Sequence, residues 1–352
     1  MKLAIIGLEQ SGKTTVFNAL TGANKEVGTY GKIDANIAMV KVPDPRIEHL
    51  SSIYQPKKTV YADIEFVDIP GSINDSSDPK IIAAAREADA LVYIIRDFSN
   101  ENVLHPMDSI DPARDYEQIH MGLMVADMAI AEKRIERLKV SVNKPTDKQN
   151  EEKLELAALQ KIMQKLESEK PALEAELSEQ EEKAIRSFQF LTLKPHFSLL
   201  NISETEISSD RSAGMAARIP GCMPMCANIE MDIRNLDEED REVFLLDLGI
   251  KELSLNAFIR KAYETLGLIS FFTVGKDEVR AWTIKNGTSA VDAAGKIHSD
   301  LQRGFIRAET FSYNDIKELG SEKEVKNTGR FRLEGKDYIV KDGDIISIKF
   351  SV

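Results

Sequence analysis

Gly7-Leu8-Glu9-Gln10-Ser11-Gly12-Lys13-Thr14 fits the pattern G-x-x-x-x-G-K-[ST], in which each fixed residue has a chemical task. The glycines let the backbone N–H groups of Glu9, Gln10 and Ser11 turn inward around phosphate oxygens. An ammonium at Lys13 reaches β- and γ-phosphates, the Thr14 hydroxyl ligates Mg²⁺, and Thr15 follows at the start of a helix. About sixty residues later comes Asp68-Ile69-Pro70-Gly71. A carboxylate there holds the Mg²⁺ shell, and the glycine lets backbone approach the γ-phosphate. A third group, Asn201-Ile202-Ser203-Glu204, stands where nucleotide switches carry the base-reading N-K-x-D. Glu204 puts its carboxylate one methylene further out and the lysine is absent. A guanine clamp shifted by about 1 Å leaves recognition groups unpaired, at about 1–3 kcal/mol each. The three groups together predict a site for a nucleoside triphosphate and Mg²⁺, with weakened selection for guanine.

These residues need strands that end at one edge. Lys2-Leu3-Ala4-Ile5-Ile6 reads as a buried strand, and Thr15 to Leu20 has helical spacing closed by Gly22. Ala62 to Val67 alternates as a half-buried strand, Ala90 to Ile95 is a buried one, and Phe197 to Leu200 carries the third motif. About a hundred residues separate the last two, where one crossover helix suffices. From Tyr116, Met121, Met124, Val125, Met128, Ile135 and Leu138 recur at helical steps, and Asn143 to Asp147 breaks the run. Leu154, Leu156, Leu159, Ile162, Met163 and Leu166 resume it before Glu169-Lys170-Pro171, which predicts an antiparallel helical hairpin. After Gly267 the expected order is a strand over 279–284, a turn at Asn286-Gly287 and a helix over 290–297. A closing hairpin of Tyr338–Val340 with Ile345–Phe350 around Asp342-Gly343 completes the set. The fold class is α/β: a P-loop, GTPase-like domain over 1–115 and 186–267, a helical-hairpin insertion over 116–185, and a ubiquitin-like α+β domain over 268–352.

Composition agrees. The chain has 352 residues, 30% charged and 42% hydrophobic, and its net charge of −12 opposes simple electrostatic binding to nucleic acid. The imbalance is uneven: residues 268–352 hold 14 Lys and Arg against 13 Asp and Glu, and the remainder 32 against 45. A near-neutral module on an acidic body still has room for a local basic face toward RNA. No apolar run has the length of a membrane span, and the N-terminus reads as a core strand rather than a signal peptide. Cys222 and Cys226 make no disulfide framework and no metal site, so packing is their expected role. The expected compartment is the cytoplasm.

On these motifs, the chain resembles the YchF-type, Obg-like ATPases over nearly its whole length. The resemblance rests most specifically on Asn201-Ile202-Ser203-Glu204, on Phe271 to Ile284, and on Ala293 to Asp300 followed by Gly304-Phe305-Ile306. It implies ATP preferred over, or accepted alongside, GTP, and a C-terminal TGS domain. It also implies association with the ribosome; that domain and the helical arm are the expected contact surfaces, and neither a membrane nor sequence-specific DNA is an expected partner. Asn102-Val103-Leu104-His105 matches the family's local pattern around a catalytic histidine, so the resemblance makes His105 the group that orients water. Four features depart from the pattern: Gln10 stands for Asn, Ser72 for the usual hydrophobic residue, and Lys32 for the switch threonine, with Thr29 just upstream. Residues 72–78 also lack the glycine-rich switch. Two further readings stay open at this point, a conventional GTPase and a non-hydrolysing, nucleotide-dependent ribosome- or RNA-binding protein.

Overall fold

The computed structural model describes residues 1–22, 35–72, 79–144, 147–207, 209–247 and 252–351; Thr29, Lys32, Ile73 to Asp78 and the hairpin tip at 145–146 lie outside them. In chain order the elements begin with β1 (Lys2–Gly7), α1 (Lys13–Thr21), β2 (Asn36–Lys41), α2 (Pro45–Tyr54), β3 (Lys58–Val60), β4 (Asp63–Asp68), α3 (Pro79–Glu87) and β5 (Ala90–Asp97). They continue with α4 (Pro112–Ser141), α5 (Gln149–Glu167), α6 (Glu179–Ile185), β6 (His196–Ile202), α7 (Asp210–Ala216), β7 (Cys222–Met225), α8 (Ala227–Asn235), α9 (Glu238–Asp247) and α10 (Ser254–Thr265). The last are β8 (Leu268–Thr273), β9 (Glu278–Lys285), α11 (Ala290–Ile297), α12 (Ser299–Arg303), β10 (Phe305–Ser312), α13 (Tyr313–Leu319), α14 (Glu322–Asn327), β11 (Arg332–Glu334) and β12 (Asp344–Phe350).

Two compact units result. The first, Met1–Ala38 with Glu65–Leu255, is built on a sheet of order β2-β4-β1-β5-β6-β7. β1 runs parallel to β4 and β5, β5 to β6, and β6 to β7. All eight residues of β5 are buried, as the continuous apolar run of a parallel strand covered on both faces requires. Because the strands are parallel, the loops after β1, β4 and β6 all leave from one edge, where ligands of open α/β sheets bind. Three motifs far apart in sequence therefore meet at that edge.

The helical insertion starts earlier than the spacing predicts. α4 begins at Pro112, whose fixed φ suits a first turn, and its N-cap Asp111 accepts the Arg114 N–H. Ile135 and Leu138 of α4 pack with Leu159 and Ile162 of α5 in one buried cluster, each full burial contributing about 2 kcal/mol. At the root of the arm, Asp127 is fully buried. It accepts the backbone N–H groups of Leu191 and Thr192 at 3.0 and 2.8 Å, and Arg86 at 3.0 Å. Arg86 also donates to the carbonyls of Phe188, Gln189 and Ala126. Removing one charge from such a pair costs about 3–5 kcal/mol. This buried hub joins the end of α3, the arm and the segment entering β6.

The second unit, Met39–Ile64 with Asn256–Val352, carries a mixed sheet of order β11-β10-β12-β8-β9-β3. β8 and β9 are antiparallel, β10 and β12 are antiparallel, and β12 runs parallel to β8. β3 completes the sheet in parallel with β9, from Lys58↔Glu278 to Val60↔Arg280. Arg46 of α2 fixes this segment: its guanidinium binds Asp44 and Asp342 and lies 5.2 Å from the Phe272 ring centroid. The boundaries read from sequence count residues 39–64 and 256–267 with the nucleotide-binding domain; by packing, both stretches are part of the second unit. The expected closing hairpin does not form. Ile339 makes an isolated bridge to Ser289, and the longer eight-residue β10 takes the ladder beside β12. The Asp342-Gly343 turn instead offers the Asp342 carboxylate to Arg46 and to the Ser270 N–H.

Candidate functional site

The loop from Gly7 to Lys13 joins β1 to α1. Gly12 caps α1 with φ +91° and no side-chain acceptor, so the first-turn N–H groups of this helix are available to an anion. A Cβ on Gly12 would run into Asn201 Nδ2, and one on Gly7 would lie 2.5 Å from the Ile94 carbonyl and 2.8 Å from Ser11 Oγ. Backbone therefore approaches backbone here as a phosphate cradle demands. Gln10 takes φ 58°, a left-handed position held by a residue other than glycine. Lys13 Nζ donates to the carbonyls of Gly7 at 3.2 Å and Leu8 at 2.7 Å. Burial pushes its pKa down to about 8, while the charges of Asp68 and Glu9 pull it back up.

At the end of β4, Asp68 Oδ2 accepts the Thr14 hydroxyl at 3.0 Å and Asn36 Nδ2 at 3.3 Å. Burial raises the pKa of Asp68, opposed by the Asn36 and Thr14 hydrogen bonds and by the Lys13 charge. Asp68 Oδ1 and Ser11 Oγ are buried without a hydrogen-bond partner among the described residues. Orphaned polar atoms at a cradle point to a ligand that completes them. The hydroxyl and carboxylate are hard oxygen donors, which fits Mg²⁺ held by one or two side chains and by substrate phosphates. Among the described residues no cluster of three or more His, Cys, Asp and Glu has the placing of a protein-only metal cage. Gly71 follows with φ +88°, and a Cβ there would lie 2.7 Å from Ile81 Cδ1.

β6 delivers the third group, and here the structure divides what the sequence treats as one. Asn201 is 5% exposed; its Nδ2 donates to the Ser11 carbonyl at 3.1 Å and its Oδ1 accepts the Ala227 N–H at 3.2 Å. It is a strut between the phosphate loop and the start of α8, with both polar atoms engaged. Ile202 is a core residue at 4% exposure and offers no side-chain atom to a base. Glu204 is exposed at the start of the single 3₁₀ turn Glu204–Glu206.

A family profile described as a 50S ribosome-binding GTPase matches residues 2–127. The YchF-GTPase C-terminal profile, itself described as a protein of unknown function, matches residues 268–351. The ribosome-binding ATPase YchF of Bacillus subtilis (strain 168) is 40% identical over 363 aligned positions, spanning 99% of this chain and 98% of that protein. The chain belongs to the YchF family. The YchF protein of Escherichia coli O157:H7 is likewise 40% identical, across 100% of this chain and 99% of its own. The structure of the Schizosaccharomyces pombe YchF GTPase superposes with a TM-score of 0.84 at 29% identity, covering 99% of this chain and 97% of that one. The expected fold class is thereby met: a P-loop α/β domain, a helical insertion and a mixed C-terminal sheet that lies, β3 apart, within the residues that the YchF-GTPase C-terminal profile matches. No helix among the described residues is long and apolar enough to cross a membrane.

In this YchF family chain, Gly7, Ser11, Gly12, Lys13, Thr14, Asp68 and Asn201 are brought together by the contacts above. Glu9 and Gln10 are exposed on the same loop, and Thr15 lies in the first turn of α1. His105 is placed differently. It is buried, its Nε2 lies 2.8 Å from Asp115 Oδ2, and its Nδ1 accepts the Met107 N–H at 3.1 Å. Neither bond reaches the phosphate loop. Sequence reasoning missed Asn36, which has no motif around it, and Asp115. The Asp111-Pro112 start of α4 marks a first-turn carboxylate at 115, but no pattern names its partner.

Proposed function

We propose that this protein is a nucleotide-dependent switch that hydrolyses ATP, and accepts GTP, to the diphosphate and phosphate, and that it associates with the ribosome. The observation that carries the nucleotide half is the exposed Glu204 at the end of β6, beside an Asn201 strut tied to the phosphate loop. With Asn201 occupied, Glu204 is the carboxylate of that motif left to read a base. Its longer reach favours the exocyclic amine pattern of adenine over a guanine clamp built for Asp. Support for the ribosome half is the full-length likeness to relatives named ribosome-binding ATPases. Gly7, Gly12, Lys13, Thr14 and Thr15 hold the phosphates, and Gly71 follows the γ-phosphate. Thr14 and Asp68 hold Mg²⁺, which when bound neutralises charge on the β- and γ-phosphates. His105 orients the attacking water once it is freed from its present bonds.

The domain division follows the sequence limits, except that residues 39–64, with α2 and β3, and residues 256–267 go with the C-terminal TGS-type domain. That domain and the helical arm are the surfaces for the ribosome, and the cytoplasm is the working compartment. Titration of nucleotide-free protein with ATP and GTP, Mg²⁺ present, tests the base assignment. ATP binds more tightly, and Glu204→Asp moves the ratio toward GTP; clear GTP preference in the wild type would return the conventional GTPase reading. Co-sedimentation with ribosomes that varies with nucleotide state tests the partner, and absence of binding in every state removes it.

A further inference from the structure

Between Phe98 and Pro112 the chain inverts the usual order of burial. His105 is 9% exposed, whereas Leu104 is 80%, Met107 41% and Ile110 38% exposed, and no other residue of 99–111 is buried. Apolar side chains ordinarily go in and an imidazole stays near water. Apolar burial therefore does not hold this loop down; polar contacts do. Arg96, at the end of β5, donates to the Phe98 and Val103 carbonyls and covers one end. At the other end, His105 is bound to Asp115 in the first turn of α4. Asp115 is 1% exposed, and the Arg114 guanidinium holds its second oxygen at 2.8 and 3.1 Å. Arg114 also binds the Ser109 hydroxyl and carbonyl, closing the loop onto the helix.

The bond from the Met107 N–H needs a lone pair on Nδ1, so the ring proton is on Nε2 and points at Asp115. Both nitrogens are committed, and the ring has neither lone pair nor N–H for a water molecule. We propose that Asp115 is a positioning residue that stores His105 in an off state, and that opening this latch admits the imidazole to the nucleotide site. This rests on the reading of His105 as the water-orienting group. The latch sits in the first turn of the helix that forms the arm, so a pull on the arm acts directly on it.

The test is ATP hydrolysis by the full-length protein, Mg²⁺ present, for wild type, Asp115→Ala, Asp115→Asn, His105→Ala and the His105→Ala/Asp115→Ala double variant. Asp115→Ala removes the acceptor and raises kcat about ten-fold, near the lower end of what one hydrogen bond to a charged group is worth. Asp115→Asn keeps a carbonyl oxygen in place and gives a smaller rise. KM stays unchanged, and the rise disappears in the double variant; a merely structural aspartate would produce none of this pattern. A fall in kcat toward the His105→Ala level makes Asp115 a partner of the active imidazole and overturns the latch. No change overturns it too. Wild-type turnover by His105→Ala overturns both the latch and the reading beneath it, whereas an inactive His105→Ala beside an unraised Asp115→Ala overturns the latch alone. Should the Asp115 variants melt early, the wild-type protein supplies the answer by ¹⁵N NMR of the His105 ring. The hydrogen-bonded Nε2–H signal is present without nucleotide and lost with a non-hydrolysable ATP analogue and Mg²⁺; its persistence in the bound state overturns the proposal.

Discussion

Lys13 makes nucleotide binding sensitive to pH in a range where ordinary lysines are silent. Its ammonium is buried among loop carbonyls, and desolvation takes its pKa down to about 8. A bound triphosphate requires the charged form and restores a normal lysine pKa. Affinity then falls by the factor 1 + 10^(pH − pKa), which is about 1.1 at pH 7 and about 11 at pH 9. The loss is about ten-fold, or about 1.4 kcal/mol, and binding takes up about 0.1 proton at pH 7 and about 0.9 at pH 9. Calorimetric titration with a non-hydrolysable ATP analogue, in pairs of buffers with different ionisation enthalpies, reads both quantities. Saturating Mg²⁺ keeps the last nucleotide proton off throughout. Equal affinity at pH 7 and pH 9, with heats independent of buffer, would refute the argument. It would mean that the loop carbonyls compensate the ammonium fully in the free site.

Two further outcomes follow from the geometry. Asn201→Ala leaves the Ala227 N–H unpaired and frees the phosphate loop from its strut, weakening ATP and GTP alike by about 1–3 kcal/mol; a changed ATP-to-GTP ratio in parallel titrations would instead make Asn201 a base reader. His196 stacks on Tyr93 at 4.7 Å and 9°, and burial first, then His120, takes its pKa from 6.5 down to about 4. The unfolded chain therefore gains a proton below about pH 6.5 that the folded chain refuses until about pH 4, so stability is lost as pH falls through that window. Between pH 7.5 and pH 5 the loss is about 2 kcal/mol by urea unfolding, and His196→Phe, which keeps the stack, removes it; an equal loss in the variant refutes the assignment.

What the sequence makes legible divides by the distance over which a residue acts. Gly7, Gly12, Lys13 and Thr14 are readable because one turn of backbone imposes their spacing. The arm is readable because a helical period repeats along it. Asp68 and Glu204 follow from strand ends. Asn201 shows the limit: its residue type fits the motif, but its role is set by Ser11 and Ala227, which only the parallel pairing of β5, β6 and β7 brings near. Asp115 and Asn36 are hidden for the same reason, since each acts on a partner that no local period specifies. β3 is the extreme case: three residues, Lys58–Val60, whose strand character exists only beside β9.

That pairing bears on how the chain is made. Thr59 meets Val279, 220 residues later in the sequence. At about 5–20 residues per second, residues 58–60 leave the synthesis machinery about 10–45 s before their neighbour strand exists. Through that interval α2 has no Asp342 for Arg46 and no Phe272 beneath it. Limited proteolysis of nascent chains arrested before residue 268 should cut within residues 39–64, and completed chains should resist there. Residues 39–64 are thus synthesised early but finished late, and β9, made more than two hundred residues afterwards, supplies the strand that completes them.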